Sequence, residues 1–315
     1  MKFVIIAPPK NLKSAGCMFL YNFADEIRAT GYEAVRIILA QNRNGDFFVS
    51  CDEKNFVPLE PDTLEKIVDP SESIVIHGEN LHHKFFDKFN VARFYLNKIG
   101  SLRNIGVPRP NEYKIAWNPS FVDKPDFILR RPVTKKPEKE ILQLNQSRLI
   151  DLTYVGKGHL YDANFGRLPS TLELTRDWPK NVDEYLYLLS KTRFLFTYDV
   201  KTAVVEEAVF YGAVPVIMTH LPMSNMEDVK GAYNVELKNC CLLFEEFEKL
   251  NADNVQEFFD NFYFHRKKFI TYLEQQEIDY RERLVELIES ILERFSMIPN
   301  EPMEPASSSL NPVFS

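Results

Sequence analysis

The stretch RFLFTYDVKTAVVEEAVFYGAVPVIM, Arg193 to Met218, sets the fold class for the whole chain. Phe194 to Thr197 form a short apolar run that closes on the polar pair Tyr198 and Asp199, which is the pattern of a buried strand entering a loop. Thr202 then stands where a helix N-cap would, and TAVVEEAVFYG reads as a short apolar helix stopped by Gly212. VPVIM resumes β-branched character. Strand, helix and strand in that order make a βαβ unit and hence a parallel sheet. The loop from Tyr198 to Thr202 then lies at the carboxyl edge of the sheet, where ligands of open α/β sheets bind. Backbone N–H groups at Ala203 and Val204 would suit a diphosphate there. The plainer reading is a helix that only packs on its sheet. Periodicity does not separate the acidic pair. With Val204, Val205, Ala208 and Val209 facing the core, Glu206 and Glu207 flank that face symmetrically at ~100° per residue.

The same alternation extends outward in both directions. KFVIIAPP, AGCMFLYNFADEIRATG and EAVRIIL form a first βαβ unit, with Phe19, Leu20, Phe23, Ala24 and Ile27 on one helix face and Gly31 at its end. ESIVIHGEN reads as a strand, NVARFYLNKIG as a helix ended by Gly100, and EYKIAWNP as a strand. From Asn118 to Ser147 the composition turns to proline and charge, with residues 131–147 read as a linker. RLIDLTYVGKG then restarts the βα pattern, followed by TLELT and the helix NVDEYLYLLSKT. The expectation is an α/β chain with two Rossmann-like βαβ domains, 1–130 and 148–252, facing across a cleft. C-terminal helices over 253–296 follow, with a disordered Pro- and Ser-rich tail over 297–315.

Bulk composition narrows the function classes. A chain of 315 residues with 45% hydrophobic content can bury one large core or two ordinary ones, and its length favours two domains. A net charge of -7 speaks against nonspecific nucleic-acid binding, which needs many lysines and arginines on phosphates. Cys17, Cys51, Cys240 and Cys241 show neither metal spacing nor a C-x-x-C pair, and they read as thiols in a reducing compartment. The apolar run at the N-terminus is too short for a signal peptide, and no segment reaches the ~18 apolar residues of a membrane span. A soluble, cytoplasmic protein is expected, with attachment to a membrane surface left open.

Asp199 and Glu207 stand eight positions apart, and Glu207 is followed by Ala208, Gly212, Pro215 and Val216. This constellation resembles the nucleotide-sugar site of the GT-B glycosyltransferases, where an acidic residue, seven positions and a Glu precede Ala, a Gly and Pro-Val on the next strand. The family usually has Glu at the first position, where this chain has Asp199. The resemblance implies that Glu207 accepts hydrogen bonds from both ribose hydroxyls of the donor nucleotide, a task suited to a carboxylate. Glu206 is then a solvated or linker-facing charge. The turn Gly156, Lys157, Gly158 after TYV matches the place where these enzymes put a glycine and a cation beside the donor diphosphate. A lysine there opposes the charge that develops on the leaving group. LTRDWP resembles the segment before the donor strand in enzymes of bacterial surface-polysaccharide assembly. Arg176 would assist Lys157, and Trp178 would be structural or flank the base. Tyr198, Thr202, Ala203 and Val204 complete the donor side.

The N-terminal half would hold the acceptor. Ser14, Ala15 and Gly16 precede the first helix, and VIHGEN places His77, Glu79 and Asn80 at a strand's carboxyl end. His77 or Glu79 is a candidate catalytic base, the alternative being packed or solvent-facing residues. No D-x-D stands at a strand end, so no metal and no cofactor is expected, and cations and a helix start would carry the diphosphate. The reading is transfer of a sugar from a nucleotide diphosphate to a glycan or lipid-linked acceptor in surface-polysaccharide (lipopolysaccharide) synthesis. A sugar-nucleotide epimerase on the same fold, or a non-catalytic nucleotide-sugar or glycan-binding partner, would share most of these residues. A nicotinamide enzyme is disfavoured because its G-x-G-x-x-G is missing.

Overall fold

The computed structural model describes residues 1–11, 14–60, 62–81, 84–97, 99, 108–130, 148–156, 168, 170–175, 178–199, 202–218 and 235–296. The linker 131–147 and the tail 297–315 lie outside these residues. In chain order the first half contains β1 (Lys2–Ala7), α1 (Ala15–Ala29), β2 (Ala34–Gln41), β3 (Phe47–Ser50), β4 (Val57–Pro58), α2 (Thr63–Ile67), β5 (Ser73–Gly78), β6 (Asn90–Tyr95), β7 (Tyr113–Ala116) and β8 (Phe127–Ile128). The second half contains β9 (Ile150–Tyr154), β10 (Leu172–Leu174), α3 (Val182–Lys191), β11 (Thr192–Thr197), α4 (Ala203–Tyr211), β12 (Val214–Ile217), α5 (Val235–Lys238), β13 (Leu242–Leu243), α6 (Phe244–Phe247) and α7 (Val255–Ser296).

The chain is α/β and builds two sheets. The first runs β4-β3-β2-β1-β5-β6-β7-β8, parallel from β2 to β8 with β3 and β4 added antiparallel at one edge. The second runs β10-β9-β11-β12-β13 and is parallel throughout. In both, the chain first steps to one side of its opening strand and later returns to the other side. Strand order therefore reverses between β1 and β5 in the first sheet and between β9 and β11 in the second. A crevice opens at such a reversal because the two following loops leave in opposite directions.

Packing follows from the sequence pattern. Phe3, Ile5, Ile74 and Ile76 face α1, whose Phe19, Leu20, Phe23, Ala24 and Ile27 are all buried; Val4, Ile6 and Val75 face Leu64, Phe86 and Phe89 on the other side. Burial on both faces explains the uninterrupted apolar runs of β1 and β5. It also explains a difference from the sequence reading. The sequence pattern predicts a helix over 90–100, whereas residues 90–95 form the parallel strand β6. Val91, Phe94 and Tyr95 happen to recur at helical spacing, and Arg93 looks like a solvated position. Arg93 instead lies fully buried, with Nη2 2.8 Å from Oε2 of the equally buried Glu112. Tyr95 donates its hydroxyl to the other oxygen of Glu112 at 2.5 Å, and burial and that bond push the phenol well above its ordinary pKa.

The segment 253–296 supplies one helix of 42 residues, about 63 Å at 1.5 Å per residue. Its Phe262, Phe269 and Leu273 belong to the core of the second sheet. Its Tyr280, Leu284, Leu287, Ile288, Ile291 and Phe295 belong to the core of the first. Tyr280 donates to Glu26 of α1 at 2.5 Å, and the hydroxyls of Tyr113 and Ser290 meet at 2.7 Å. One rigid element thus carries apolar contacts to both sheets. Among the described residues no helix is long and apolar enough to cross a membrane.

Candidate functional site

The loops after β9 and β11 meet at the reversal point of the second sheet. Gly156 has φ +51, and a Cβ there would stand 2.5 Å from the Tyr154 ring, 2.6 Å from Asp199 Oδ2 and 2.8 Å from Asp199 Cβ. Only glycine accepts both that backbone and that contact. Asp199 is 3% exposed, its N–H donates to Thr197 Oγ1 at 3.1 Å, and the same hydroxyl is 3.1 Å from its carbonyl oxygen. Tyr198 is buried, and its N–H donates to Tyr154 O at 3.0 Å, tying the two loops together. Lys157, Gly158 and Arg176 lie outside the described residues.

Thr202 is the N-cap of α4, accepting from Val204 N at 3.4 Å. One of the two N–H groups expected to meet a diphosphate is therefore engaged by the cap, while that of Ala203 has no acceptor among the described residues. The far end of α4 is held with unusual care. Gly212 closes it at φ +87, Arg148 donates to Thr192 O and Tyr211 O, and the buried Arg266 donates to Val209 O and Phe210 O at 2.8 and 2.6 Å. Burial, with the charge of Arg148 next, pushes Arg266 down to about 10, which still leaves it a cation at neutral pH. Two cations on the carbonyl end of α4 complement its dipole and hold the helix in register with β11.

The acidic pair separates as follows. Glu206 forms an ion pair with Arg130, the last described residue before the linker; their side chains are 13% and 19% exposed. It is linker-facing but not solvated. Glu207 accepts from the Tyr185 hydroxyl at 2.5 Å. Tyr185 sits in the first turns of α3, and α3 and α4 both start at the carboxyl edge of the sheet, so the pair lies near that edge. Burial first, then the charge of Glu207, pushes Tyr185 well above its ordinary pKa; the same two causes push Tyr211 up to about 12. Both phenols are neutral at physiological pH, and that of Tyr185 is the donor to Glu207. Sequence reasoning missed Tyr185. Its only signal is a tyrosine on the inner side of an otherwise leucine-lined helix, which carries no information about its partner.

The expected acceptor side lies at the reversal point of the first sheet. Ser14 caps α1, accepting from Cys17 N at 3.3 Å, and a Cβ on Gly16 would touch Leu96 at 3.3 Å. Ala15 opens the helix. Glu79, 2% exposed, accepts from Leu96 N at 3.0 Å and Asn97 Nδ2 at 2.5 Å, which pins the loop after β5 to the loop after β6. His77 is fully buried in β5, its Nδ1 2.8 Å from Gly78 O and its ring stacked on Phe86 at 4.8 Å. Asn80 is exposed. Ser14 to Gly16 and Asn80 thus share one edge, whereas His77 and Glu79 are built into the packing. Among the described residues no group of three His, Cys, Asp or Glu is arranged to hold a metal ion.

Comparison with protein-family models and with curated proteins gives no match for the chain.

Proposed function

We propose that the chain is a GT-B glycosyltransferase that moves a sugar from a nucleotide diphosphate to a hydroxyl of a glycan or lipid-linked acceptor, without an essential metal. The observation that carries the reading is the placement of the acidic-x7-Glu pattern. Asp199 stands at the reversal point of a parallel sheet against Gly156, and Glu207 stands on the helix that begins there, with its carboxylate fixed by Tyr185. In the transfer, the acceptor oxygen bonds to the anomeric carbon while the bond from that carbon to the phosphate oxygen breaks. The electron pair leaves with the nucleotide diphosphate, and the acceptor proton passes to a base or to water. Lys157, Arg176 and the start of α4 would oppose the charge on the departing diphosphate, and Glu207 would take the ribose hydroxyls. The two sheets would serve as donor and acceptor domains across a cleft. The test is release of nucleotide diphosphate from a panel of nucleotide sugars with excess chelator present. Turnover that persists supports the reading; complete loss, restored by a divalent metal, overturns its metal-free chemistry.

A nucleotide-sugar-binding partner that performs no transfer is the second reading. The 3% exposure of Asp199 speaks for it, because a side chain so enclosed has little surface to offer a donor sugar. Donor binding without transfer to any acceptor would favour it.

A further inference from the structure

A cavity of about 300 Å³ opens where α7 passes from one core to the other. Its wall on the helix comes from Tyr272, Gln276, Asp279 and Arg283, which recur at three- and four-residue steps and so share a face; Trp117 and Arg130 supply the opposite side. Trp117 directly follows β7 and therefore lies on the same carboxyl edge as Ser14 to Gly16 and Asn80. Arg130 grips Glu206, the neighbour of Glu207. The cavity thus lies between the expected acceptor edge and the helix that carries the proposed ribose ligand.

Each charged side chain in its wall already has a hydrogen-bond or ion-pair partner. Arg130 pairs with Glu206, Arg283 donates to Ile128 O at 2.8 Å and lies over the Phe127 ring at 4.9 Å, and Asp279 accepts from Gln275 at 2.7 Å. The Gln276 amide, the Tyr272 hydroxyl and the Trp117 indole N–H make no hydrogen bond to the described residues, so the groups open to a ligand are neutral ones beside two aromatic surfaces. An anion would need a cation without a partner. A neutral sugar needs an apolar surface for its C–H face and amphoteric groups for its hydroxyls. The volume is at the small end of ligand pockets.

We propose that this cavity binds a neutral terminal sugar of a glycan, which Trp117 and Tyr272 stack and Gln276 orients. It rests on the glycosyltransferase reading only for the further statement that this glycan is the acceptor. The chain has two tryptophans, so Trp178→Phe leaves Trp117 as the sole indole reporter. The full-length variant is titrated with methyl hexopyranosides, methyl N-acetylhexosaminides and neutral disaccharides at millimolar concentration, and separately with inorganic phosphate. A saturable emission change with a neutral sugar, weakened about tenfold by Gln276→Leu and by Tyr272→Ala, is the expected result. No saturable response to any of these sugars, or a response to phosphate alone, overturns the proposal. Nucleotide-sugar binding and turnover measured on the chain with Trp178 intact keep the two claims apart: sugar binding without donor binding retains the cavity and removes the function, and donor turnover without sugar binding does the reverse.

Discussion

Removing the hydroxyl of Tyr185 isolates the contact on which the candidate donor site turns. The bond to Glu207 Oε2 is 2.5 Å long and its acceptor is a carboxylate, so it belongs to the charge-assisted class, worth about 1.5–3 kcal/mol. Tyr185→Phe keeps the ring and its packing against α4 and deletes only the donor. Glu207→Ala deletes the acceptor, and the double variant deletes both. Native-state hydrogen exchange of the amides in β11 and α4 reads the stability of the second sheet without assuming that the whole chain unfolds in one step. Each single variant should lower the opening free energy, and the double variant should fall short of their sum by about 1.5 kcal/mol or more. Additivity within about 0.5 kcal/mol would refute the statement that Tyr185 fixes Glu207.

Tyr95, Tyr113, Tyr185 and Tyr211 all have raised pKa values, burial being the first cause in each, so phenolate absorbance of the native chain should show at least these four tyrosines ionising late. Because the native state holds these protons more tightly than the unfolded chain, their stabilisation is complete below pH ~10 and is lost as pH rises through the native values, near 12 for Tyr211. Co-ionisation of every tyrosine near pH 10 would contradict this. Gly156→Ala should destabilise the second sheet beyond the ~1–2 kcal/mol of a left-handed backbone, since the new methyl must displace Asp199. Gly31→Ala, at φ +94 with nothing within 4 Å, is the control and should cost the backbone share alone. Equal losses in the two variants would show that the contact with Asp199 is unimportant.

The parts of this molecule that could be read from sequence are those whose signal is local. β1, α1, β2, β5, β9, α3, β11, α4 and β12 each carry their own periodicity and stop residue, and the βα alternation gives the class. β6 was hidden because its one charged residue, Arg93, is neutralised by Glu112 from nineteen positions away, a match that no window around residue 93 contains. The same holds for the site. Thr202 as a cap and Gly156 beside a turn are local facts. The grip of Tyr185 on Glu207, the pairing of Glu206 with Arg130 and the two arginines on the end of α4 are tertiary, and α7 shows an amphipathic pattern with no hint that its halves serve different sheets.

The role of Glu207 as ribose ligand of a nucleotide-sugar donor is tested most directly by calorimetric titration of the wild-type chain and Glu207→Ala with a panel of nucleotide diphosphate sugars. Saturable binding of at least one donor to the wild type is expected, with a loss of about tenfold or more in Glu207→Ala and an unchanged far-ultraviolet spectrum. Binding of no donor by the wild type, or equal affinity in the folded variant, would contradict it.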